Sequence, residues 1–356
     1  MIKIKSRSHE YSVELFLSLE DTLKAIPSTN KIFYLIDSNI ARIYKSALSS
    51  DVYIDKCVFI DASETQKSYD NIEPIFLNLL HLGIKRDSVL IVIGGGVTQD
   101  IGCFICSVLY RGICWQLIPT TLLAQADSCI GSKSSINIGT YKNQIGTFYP
   151  PKRVLITSSV LTTLPYDEVR SGVGEIIKLQ LLNNEVSFRS LMEDLSVMNP
   201  VNQTEVIAKW VIHSLQFKKD FIEEDEFDLG IRNKLNYGHT FGHAYESATS
   251  YRIPHGIAVI LGILTATYLS VRLNLVSESY YNELKVLLNP WHTPFGNELK
   301  KASHEAIFHA IKHDKKNTDG IVNCILTQGA GQMNKTAVNF EEALKPAVHH
   351  FIDNEV

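Results

Sequence analysis

The chain has 356 residues, enough for two domains or for one large domain. Its composition, 45% hydrophobic and 20% charged, is typical of a globular protein with a sizeable core. The formal net charge of −4 argues against nucleic acid or an anionic membrane as the main partner, but it is compatible with a local basic pocket for a small anion.

The N-terminus and the longest apolar stretch bear on where the protein resides. The first residues, MIKIKSRSHEYSV, lack the apolar segment of a secretory signal. The stretch from Ala258 to Val271 contains Gly262 and polar residues, so it predicts a buried core helix rather than a membrane span. We therefore expect a cytoplasmic protein.

Short apolar runs alternate with helical patterns in the first 160 residues. Four of these runs predict buried strands: KIFYLIDSN (31–39), CVFIDAS (57–63), SVLIVIGGG (88–96) and CWQLIPTT (114–121). This alternation predicts a Rossmann-like α/β domain with a parallel sheet over residues 1–160. Ligands of such sheets bind beyond the carboxyl ends of the strands, which is where Asp37, Glu64, Gly94 to Gly96 and Thr120 fall.

From residue 161 to residue 356 long helical patterns dominate and predict an all-α second domain. They include YDEVRSGVGEIIKLQLLNN, QTEVIAKWVIHSLQFKKDFIEE and the run after His255. A late strand signal, GIVNCILTQ (320–328), interrupts them. We expect the active site in the cleft between the two domains.

A glycine turn and one aspartate are candidates for binding a nucleotide. Gly94 to Gly96 follow a strand pattern and precede a helical one, where glycines let the backbone approach a diphosphate and the helix N-terminus favours its charge. The segment lacks the GxGxxG fingerprint, and three glycines also occur in plain tight turns. Asp37 is a candidate partner for an adenosine ribose, although aspartate is also a common turn and cap residue.

Three histidines and one carboxylate are candidates for a metal site. His239 and His243 lie four residues apart in NYGHTFGHAYE and share one helical face. His255 in IPHGIAV and Glu175 in SGVGEIIK add further ligand types. Three protein ligands with open positions are the arrangement of catalytic metal sites, whereas an isolated HxxxH pair is also compatible with a surface or capping role.

Basic residues recur inside apolar or small-residue stretches, and together they suggest a pocket for phosphate and carboxylate groups. Each of them is equally compatible with an ordinary solvated charge. They are Arg111, Lys133, Lys142, Lys178, Arg232 and the pair Lys315–Lys316.

Taken in order, these segments resemble dehydroquinate synthase and its sugar-phosphate cyclase relatives over nearly the whole chain. The similarity is densest in GGGVTQDIGCF, YRGICWQLIPTTLLAQADSCIGSK, KNQIGTFYPPKRVLI, GVGEIIK, RNKLNYGHTFGHA and PHGIAV. The resemblance implies a dehydroquinate synthase-like fold, with an NAD-binding α/β domain followed by a helical metal-binding domain.

The resemblance also implies roles for residues at matching motif positions. Glu175, His239 and His255 would bind one divalent metal, zinc or cobalt, and His243 would face the substrate instead. Lys218 and Arg232 would hold a substrate carboxylate, and one lysine of the 315–316 pair would also contact substrate. Arg111 would contact a phosphate across a homodimer interface. The residues around the reacting carbons and phosphate would be Asp127, Lys133, Asn143, Lys178, Asn236 and His243.

The positions implied for NAD come mainly from the first domain. They are Asp37, Asn39, Glu64, Lys67, Gly94, Gly95, Gly96, Asp100, Thr120, Thr121, Lys142 and Thr163.

The resemblance implies a lyase of the shikimate pathway that converts 3-deoxy-arabino-heptulosonate 7-phosphate to 3-dehydroquinate and phosphate. NAD would oxidise a secondary hydroxyl transiently, phosphate would leave by β-elimination, and the reduced product would close by an intramolecular aldol reaction. Lys218, Arg232, Leu235 and Asn236 match the carboxylate-binding version of the family. The chain departs from the family pattern at Gln99, at Ser132 with Ser134–Ser135, and at Ile138–Gly139.

Three alternative functions are compatible with the same sequence. The departures in the 132–140 loop are compatible with a related cyclase acting on sedoheptulose 7-phosphate or glucose 6-phosphate. A metal-dependent polyol dehydrogenase shares the two-domain design, but it would release NADH stoichiometrically. A catalytically inactive paralogue with a binding role is the third alternative.

Overall fold

The structure is a computed structural model that describes residues 1–52, 54–139, 141–199, 201–312 and 320–356. The chain divides into two compact units. The first comprises Met1–Leu164 and Ile207–Phe227, and the second comprises Pro165–Val206 and Asp228–Val356. A boundary near residue 160 is expected from the sequence, but the segment Ile207–Phe227 packs with the first unit although it lies beyond that boundary.

The first unit is built on a seven-stranded sheet with the order β1-β2-β9-β6-β5-β3-β4. The sheet strands are β1 (Ile2–Lys5), β2 (Glu10–Phe16), β3 (Ile32–Asp37), β4 (Cys57–Ile60), β5 (Val89–Gly94), β6 (Cys114–Pro119) and β9 (Arg153–Thr157). A separate hairpin comprises β7 (Ile136–Ile138) and β8 (Tyr141–Ile145). The helices that accompany them are α1 (Leu19–Lys24), α2 (Ser38–Ile43), α3 (Lys45–Asp51), α4 (Tyr69–His81), α5 (Gly96–Val108) and most of α8 (Gln203–Glu224).

The four strands predicted from apolar runs are confirmed as neighbours in the parallel part of the sheet. Ile36 pairs with Ile93 and with Phe59, and Ile93 pairs in turn with Ile118. Every residue of β3 is buried, as expected for a parallel strand covered on both faces. The carboxyl ends of β3, β4, β5 and β6 therefore lie at one edge.

The strands that the apolar runs do not predict lie on the other side of β6. Strand β2 contains both buried and exposed residues. Strand β1 pairs with β2 in the antiparallel direction. Parallel pairing of β2 with β9 joins this edge to the sheet. Short runs with mixed burial resemble exposed segments, so their strand character depends on tertiary pairing.

The second unit is predominantly helical. Its helices are α6 (Tyr166–Asn183), α7 (Glu185–Ser196), the first residues of α8 (Gln203–Glu224), α9 (His239–Ala248), α10 (His255–Arg272), α11 (Glu278–Lys300), α12 (His304–Lys312) and α13 (Lys345–His350). A β-hairpin of β10 (Ile321–Thr327) and β11 (Met333–Asn339) also belongs to this unit, so it is not all-α. The strand signal at 320–328 predicts the first of these strands.

Helix α10 forms the centre of this unit and packs against α6, α9 and α11. By length and composition it alone, in the part of the chain that the structure describes, is apolar enough to cross a membrane. However, 78% of its apolar window is buried inside the structure. The prediction of a buried core helix is therefore confirmed.

Candidate active site

The glycine turn lies at the end of β5, where the chain enters α5. Gly95 precedes the helix, and the backbone of Thr120, after β6, donates a hydrogen bond of 3.0 Å to the carbonyl of Gly94. A Cβ atom on Gly95 would lie 2.7 Å from Cγ2 of Thr121, so the close approach of the two strand ends requires glycine. The arrangement presents free amide groups of a helix N-terminus, which suits an anionic group.

Two other positions implied for NAD, Asp37 and Thr163, lie at the ends of secondary-structure elements. Asp37 caps α2 and accepts a 2.8 Å hydrogen bond from the backbone amide of Asn39. Burial raises the pKa of Asp37, although this amide opposes the shift. In the same unit, the hydroxyls of Thr163 and Tyr44 lie 2.9 Å apart.

A polar network joins several predicted site residues of the first unit. Lys67, which is 7% exposed, donates to Oδ2 of Asp100 at 3.1 Å and to Oδ1 of Asn143 at 3.0 Å. Asn137 donates a 2.8 Å hydrogen bond to Glu64, and its own side-chain oxygen accepts from the amide of Asn143 at 2.9 Å. The network extends to Lys142, whose Nζ lies 3.4 Å from Oε1 of Glu64.

The network constrains the loop that departs from the family pattern. Both carboxylate oxygens of Asp100 accept from Ser135, one from its backbone amide at 3.1 Å and one from its hydroxyl at 2.8 Å. Burial raises the pKa of Asp100, and the charge of Lys67 opposes this.

Ser132 has a left-handed backbone (φ 60°), and its hydroxyl donates to buried Glu226 at 2.9 Å. Ser132 thus adopts a backbone conformation that favours glycine while its side chain is hydrogen-bonded to Glu226.

A second pair in the first unit joins α8 to the segment after β6. The ammonium of Lys218, which is 6% exposed, lies 2.8 Å from Oδ1 of Asp127. Helix α5 also contacts the segment after β6, because Gln99 of α5 exchanges two hydrogen bonds with Ser128, at 2.6 and 2.9 Å. The sequence departure at Gln99 therefore corresponds to a direct connection between the glycine turn and the Asp127 segment.

In the second unit, one carboxylate faces two imidazoles. Oε1 of Glu175, a residue with no exposed surface, lies 3.2 Å from Nε2 of His255 and 3.7 Å from Nε2 of His239. Oε1 accepts no hydrogen bond within the described residues. Lys178 donates a short hydrogen bond to the other carboxylate oxygen. A buried, unpaired oxygen beside two imidazole nitrogens is a donor set that a divalent metal satisfies.

The opposite edges of both imidazoles are held by acceptors. Nδ1 of His255 lies 3.1 Å from Oε2 of Glu246, and Nδ1 of His239 lies 3.3 Å from the carbonyl of Tyr237. Because a carbonyl and a carboxylate accept, Nδ1 is the donor in each contact, and each Nε2 faces Glu175. Acceptors of this kind orient the histidine ligands in metal centres.

The charges of this cluster influence one another. Burial favours a neutral Glu175, but the ammonium of Lys178 and the neighbouring imidazoles hold its pKa well below the usual range. Burial and the charge of Lys178 lower the pKa of His239 well below its usual value. Burial also acts against protonation of His255, yet the carboxylates of Glu246 and Glu175 raise its pKa to about 10.

Glycines bring the three candidate ligands together. A Cβ on Gly174 would lie 2.2 Å from the carbonyl oxygen of Gly256, so α6 and α10 touch backbone to backbone beside Glu175 and His255. Gly238 precedes α9 with a φ of 81°, a conformation that favours glycine, and this turn directs His239 towards the same place.

His243 also belongs to this cluster. It lies one turn after His239 on α9, and the three histidines His239, His243 and His255 each offer a ligand nitrogen within 4.8 Å of the others. His243 is the most exposed of the three. The geometry is compatible with either role that the sequence leaves open, a metal ligand or a substrate contact.

The remaining predicted residues differ in their surroundings. Arg232 is buried in the short helix Ile231–Asn236, where Asn236 donates to the carbonyl of Asn233 at 3.1 Å. Lys133 is exposed, with its Nζ 6.0 Å from the ring of Phe148. Arg111 is exposed in a left-handed backbone conformation (φ 65°). Lys315 and Lys316 lie outside the described residues.

Sequence reasoning missed three acidic or hydroxyl residues at these sites, namely Glu246, Ser135 and Glu226. Glu246 follows His239 by seven residues, so helical periodicity places it on the same face of α9, and this signal was available in the sequence. No such signal exists for Ser135 and Glu226, because their partners lie 35 and 94 residues away in the chain.

Comparison with known proteins defines the class. The family models described as the N-terminal and C-terminal parts of 3-dehydroquinate synthase match residues 57–171 and 172–317. The chain is 37% identical to the 3-dehydroquinate synthase of Acidithiobacillus ferrooxidans over 321 residues, which cover 88% of this chain and 87% of that protein. It is 33% identical to the corresponding protein of Clostridium tetani, with coverage of 95% and 91%.

A solved structure of 2-deoxy-scyllo-inosose synthase, complexed with carbaglucose-6-phosphate, NAD+ and Co2+, has the same fold. It superposes with a TM-score of 0.84 at 24% identity and covers 99% of this chain and 98% of that chain. The class is therefore defined by the fold that this chain shares with that synthase, with one α/β unit and one predominantly helical unit. Within that class, this chain belongs to the 3-dehydroquinate synthase family, and the resemblance found in the sequence is confirmed.

Proposed function

We propose that this protein is a lyase that converts 3-deoxy-arabino-heptulosonate 7-phosphate to 3-dehydroquinate and phosphate, a reaction of the shikimate pathway that supplies aromatic amino acids. The observation that carries the proposal is the position of Glu175, whose buried Oε1 faces Nε2 of His239 and of His255 without a hydrogen bond. Membership of the 3-dehydroquinate synthase family supports the same function.

Glu175, His239 and His255 are the proposed ligands of one divalent metal, zinc or cobalt. Imidazole nitrogens with one carboxylate suit both ions. Two features of the described residues support this site. Oε1 of Glu175 is buried without a hydrogen bond, and the oxygens that face Nδ1 of His239 and His255 orient both imidazoles. When bound, the metal and NAD supply polarisation and transient oxidation of a substrate hydroxyl.

The proposed NAD site uses the carboxyl ends of the parallel strands. The amides at Gly95 and Gly96 would hold the diphosphate of NAD, and Asp37 would accept hydrogen bonds from its ribose. The supporting observations are the buried, capping position of Asp37 and the close contact of Gly95 with Thr121.

Other side chains of the chain have proposed roles in holding the substrate and moving protons. Lys178 neutralises Glu175 and steadies the developing charge on the substrate oxygen. Each unit also supplies proposed contacts for the reacting carbons and phosphate: Asp127, Lys133 and Asn143 from the first, and Asn236 and His243 from the second. The hydrogen bond from Lys67 orients the side chain of Asn143. Arg232 and Lys218 are the proposed contacts of the substrate carboxylate.

The proposed contact of Arg232 and Lys218 with a substrate carboxylate distinguishes this substrate from sugar phosphates that have no carboxylate. Arg232→Ala should reduce kcat/KM by roughly 100-fold or more, as expected when a charge-assisted contact of about 3 kcal/mol is lost. Metal content should remain at the wild-type level. Arg252→Ala, which removes an exposed arginine paired with Glu298, is the matched control. Kinetics like those of the wild type in the Arg232 variant would remove the carboxylate role.

We propose that the protein is cytoplasmic and forms a homodimer, in which Arg111 contacts the phosphate bound to the partner subunit. Arg111 is exposed and has a left-handed backbone conformation, which supports a contact with another subunit.

A further inference from the structure

The hairpin of β7 and β8, in the first unit, is irregular in its second strand. The paired residues are Ile136 with Ile145 and Ile138 with Tyr141, so a step of two residues in β7 matches a step of four in β8. Asn143 lies in the resulting bulge with a left-handed backbone (φ 54°). Bulges redirect side chains and are frequent beside active sites. The position of Asn143, a proposed substrate contact, therefore depends on what holds the bulge.

The side chain of Asn137 holds the bulge from the opposite strand. The backbone amide of Asn143 donates to Oδ1 of Asn137 at 2.9 Å. Asn137 is 8% exposed, and its own backbone amide donates to the carbonyl of Lys67 at 2.8 Å. Loss of a buried hydrogen-bonding partner leaves the other group unsatisfied, which costs free energy. The bulge is thus tied through Asn137 to the segment that contains Lys67.

The other atom of the same side-chain amide contacts Glu64. Nδ2 of Asn137 donates to Oε1 of Glu64 at 2.8 Å. The same carboxylate oxygen lies 3.4 Å from Nζ of Lys142 and 3.6 Å from Nζ of Lys67. Glu64 and the two lysines are all positions implied for NAD. One asparagine therefore joins residues proposed to hold the cofactor to a residue proposed to contact the substrate.

An asparagine side chain is suited to transmit movement between these contacts. Its oxygen only accepts and its nitrogen only donates, and the planar amide keeps the two atoms at a fixed separation. A displacement of Glu64 therefore also displaces the oxygen that holds the amide of Asn143. Lys67 adds a second connection, because its Nζ donates to Oδ1 of Asn143 at 3.0 Å.

We propose, on the basis of the substrate role proposed above for Asn143, that Asn137 is a positioning residue that couples occupancy of the NAD site to the position of Asn143. NAD restrains Glu64 and Lys67 when it binds, and Asn137 passes that restraint to the bulge of β8. Substrate then binds more tightly to protein that already holds the cofactor, because part of the ordering entropy is already lost. By thermodynamic linkage, substrate tightens the binding of the cofactor by the same factor.

The first test measures backbone amide hydrogen exchange in residues 141–145 by mass spectrometry, without nucleotide and with saturating NADH. NADH should slow this exchange several-fold in the wild type. Asn137→Asp keeps the acceptor for the amide of Asn143 but loses the donor to Glu64. Its exchange without nucleotide should resemble that of the wild type, and NADH should not slow it. A merely structural role would instead give faster exchange without nucleotide and an unchanged response to NADH.

Two further variants complete this test. Asn137→Leu removes both side-chain contacts, so its exchange should be fast with and without NADH. Asn78→Leu replaces an exposed asparagine of α4 and, as the matched control, should respond to NADH like the wild type. The proposal is overturned if NADH slows the exchange equally in the wild type, Asn137→Asp and Asn137→Leu, or if it has no effect in the wild type.

The second test measures the affinity for 3-deoxy-arabino-heptulosonate 7-phosphate by calorimetry, with zinc present and with or without NADH. NADH cannot oxidise the substrate, so binding is measured without turnover. NADH should tighten this binding roughly fivefold or more in the wild type and in Asn78→Leu, but not in Asn137→Asp. Equal tightening in Asn137→Asp would contradict the coupling. Failure of the wild type to bind the heptulosonate in either condition would refute the proposed substrate, whereas the exchange measurement would still decide the role of Asn137.

Discussion

Glu246 holds His255 from the side opposite to Glu175, with 3.1 Å between Oε2 of Glu246 and Nδ1 of His255. The imidazole therefore lies between two carboxylates, one that orients it and one that faces the same nitrogen as the proposed metal. Because Glu246 is seven residues from His239 on α9, a single helix supplies both a proposed ligand and the residue that orients another ligand.

Glu246→Gln should weaken metal binding about 10- to 100-fold, the usual effect of removing an orienting partner of a ligand histidine. The amide retains similar volume but no longer favours a charged hydrogen bond to Nδ1. Metal affinity is measured by competition with a chromophoric chelator. Glu278→Gln, an exposed acid in the first turn of α11, is the control. Unchanged zinc affinity in Glu246→Gln would show that Glu246 does not support the metal centre.

Gln99 connects the first turn of α5 to the Asp127 segment through its two hydrogen bonds with Ser128. Gln99→Leu should lower the free energy of unfolding by about 1–3 kcal/mol, because each net hydrogen bond contributes about 0.5–1.5 kcal/mol. The KM for NAD should rise several-fold, since this turn carries the amides proposed to face the diphosphate. Chemical denaturation and steady-state kinetics provide the two measurements.

Gln144→Leu offers a control for Gln99→Leu, because the side chain of Gln144 is exposed and donates to the carbonyl of Lys142 only two residues away. Its stability and its KM for NAD should match those of the wild type. Equal values for Gln99→Leu and Gln144→Leu would contradict the connecting role of Gln99.

His292 supplies a pH dependence of stability. The residue is 4% exposed, and both ring nitrogens lack a hydrogen bond within the described residues. Burial and the charge of Lys285 lower its pKa from 6.5 to about 4. The stability associated with neutral His292 is present above pH 6.5, because the ring is then neutral in both the folded and the unfolded state. It is lost as the pH falls towards 4, because only the unfolded state binds the proton.

Between pH 7.5 and pH 5 this histidine should cost the wild type about 2 kcal/mol of unfolding free energy. His292→Leu should lose that much less over the same interval, as measured by urea denaturation at both pH values. The comparison of slopes cancels any change in packing that does not depend on pH. Parallel slopes for the two proteins would show that His292 titrates normally in the fold.

Arg111 provides a test of the proposed homodimer. Arg111→Ala and Glu175→Gln should each be nearly inactive alone. If Arg111 acts on the partner, random mixing of the two variants after reversible dissociation should restore about a quarter of the wild-type activity, because half of the dimers are mixed and each mixed dimer has one complete site. Activity that stays at the level of the separate variants would place Arg111 in its own subunit's site.

The sequence predicts those parts of the fold where local pattern and burial agree. The four buried runs ending near Asp37, Ile60, Gly94 and Pro119 are strands, and the helix that contains Glu175 has the predicted extent. By contrast, β2 and β9 become strands through pairing with each other and with β1 and β6. The hairpin of β10 and β11 was predicted only in its first half, because β11 alternates mostly exposed polar residues.

For the candidate site, motifs predict residue types, but only the fold reveals their partners. The contact of Glu175 with His255 depends on glycines at 174 and 256, which allow two helices to touch. The pairing of Lys218 with Asp127 likewise requires part of α8 to pack with the first unit, although the sequence pattern assigns it to the helical domain. Such long-range pairings cannot be derived from periodicity in a single sequence.

Incubation of the purified protein with NAD, zinc or cobalt, and 3-deoxy-arabino-heptulosonate 7-phosphate tests the proposed reaction most directly. Inorganic phosphate, 3-dehydroquinate and the absorbance of NADH are followed together. We expect equal release of phosphate and 3-dehydroquinate with no net NADH. Steady accumulation of NADH would indicate a dehydrogenase. Phosphate release from sedoheptulose 7-phosphate or glucose 6-phosphate, but not from the heptulosonate, would contradict the proposed substrate.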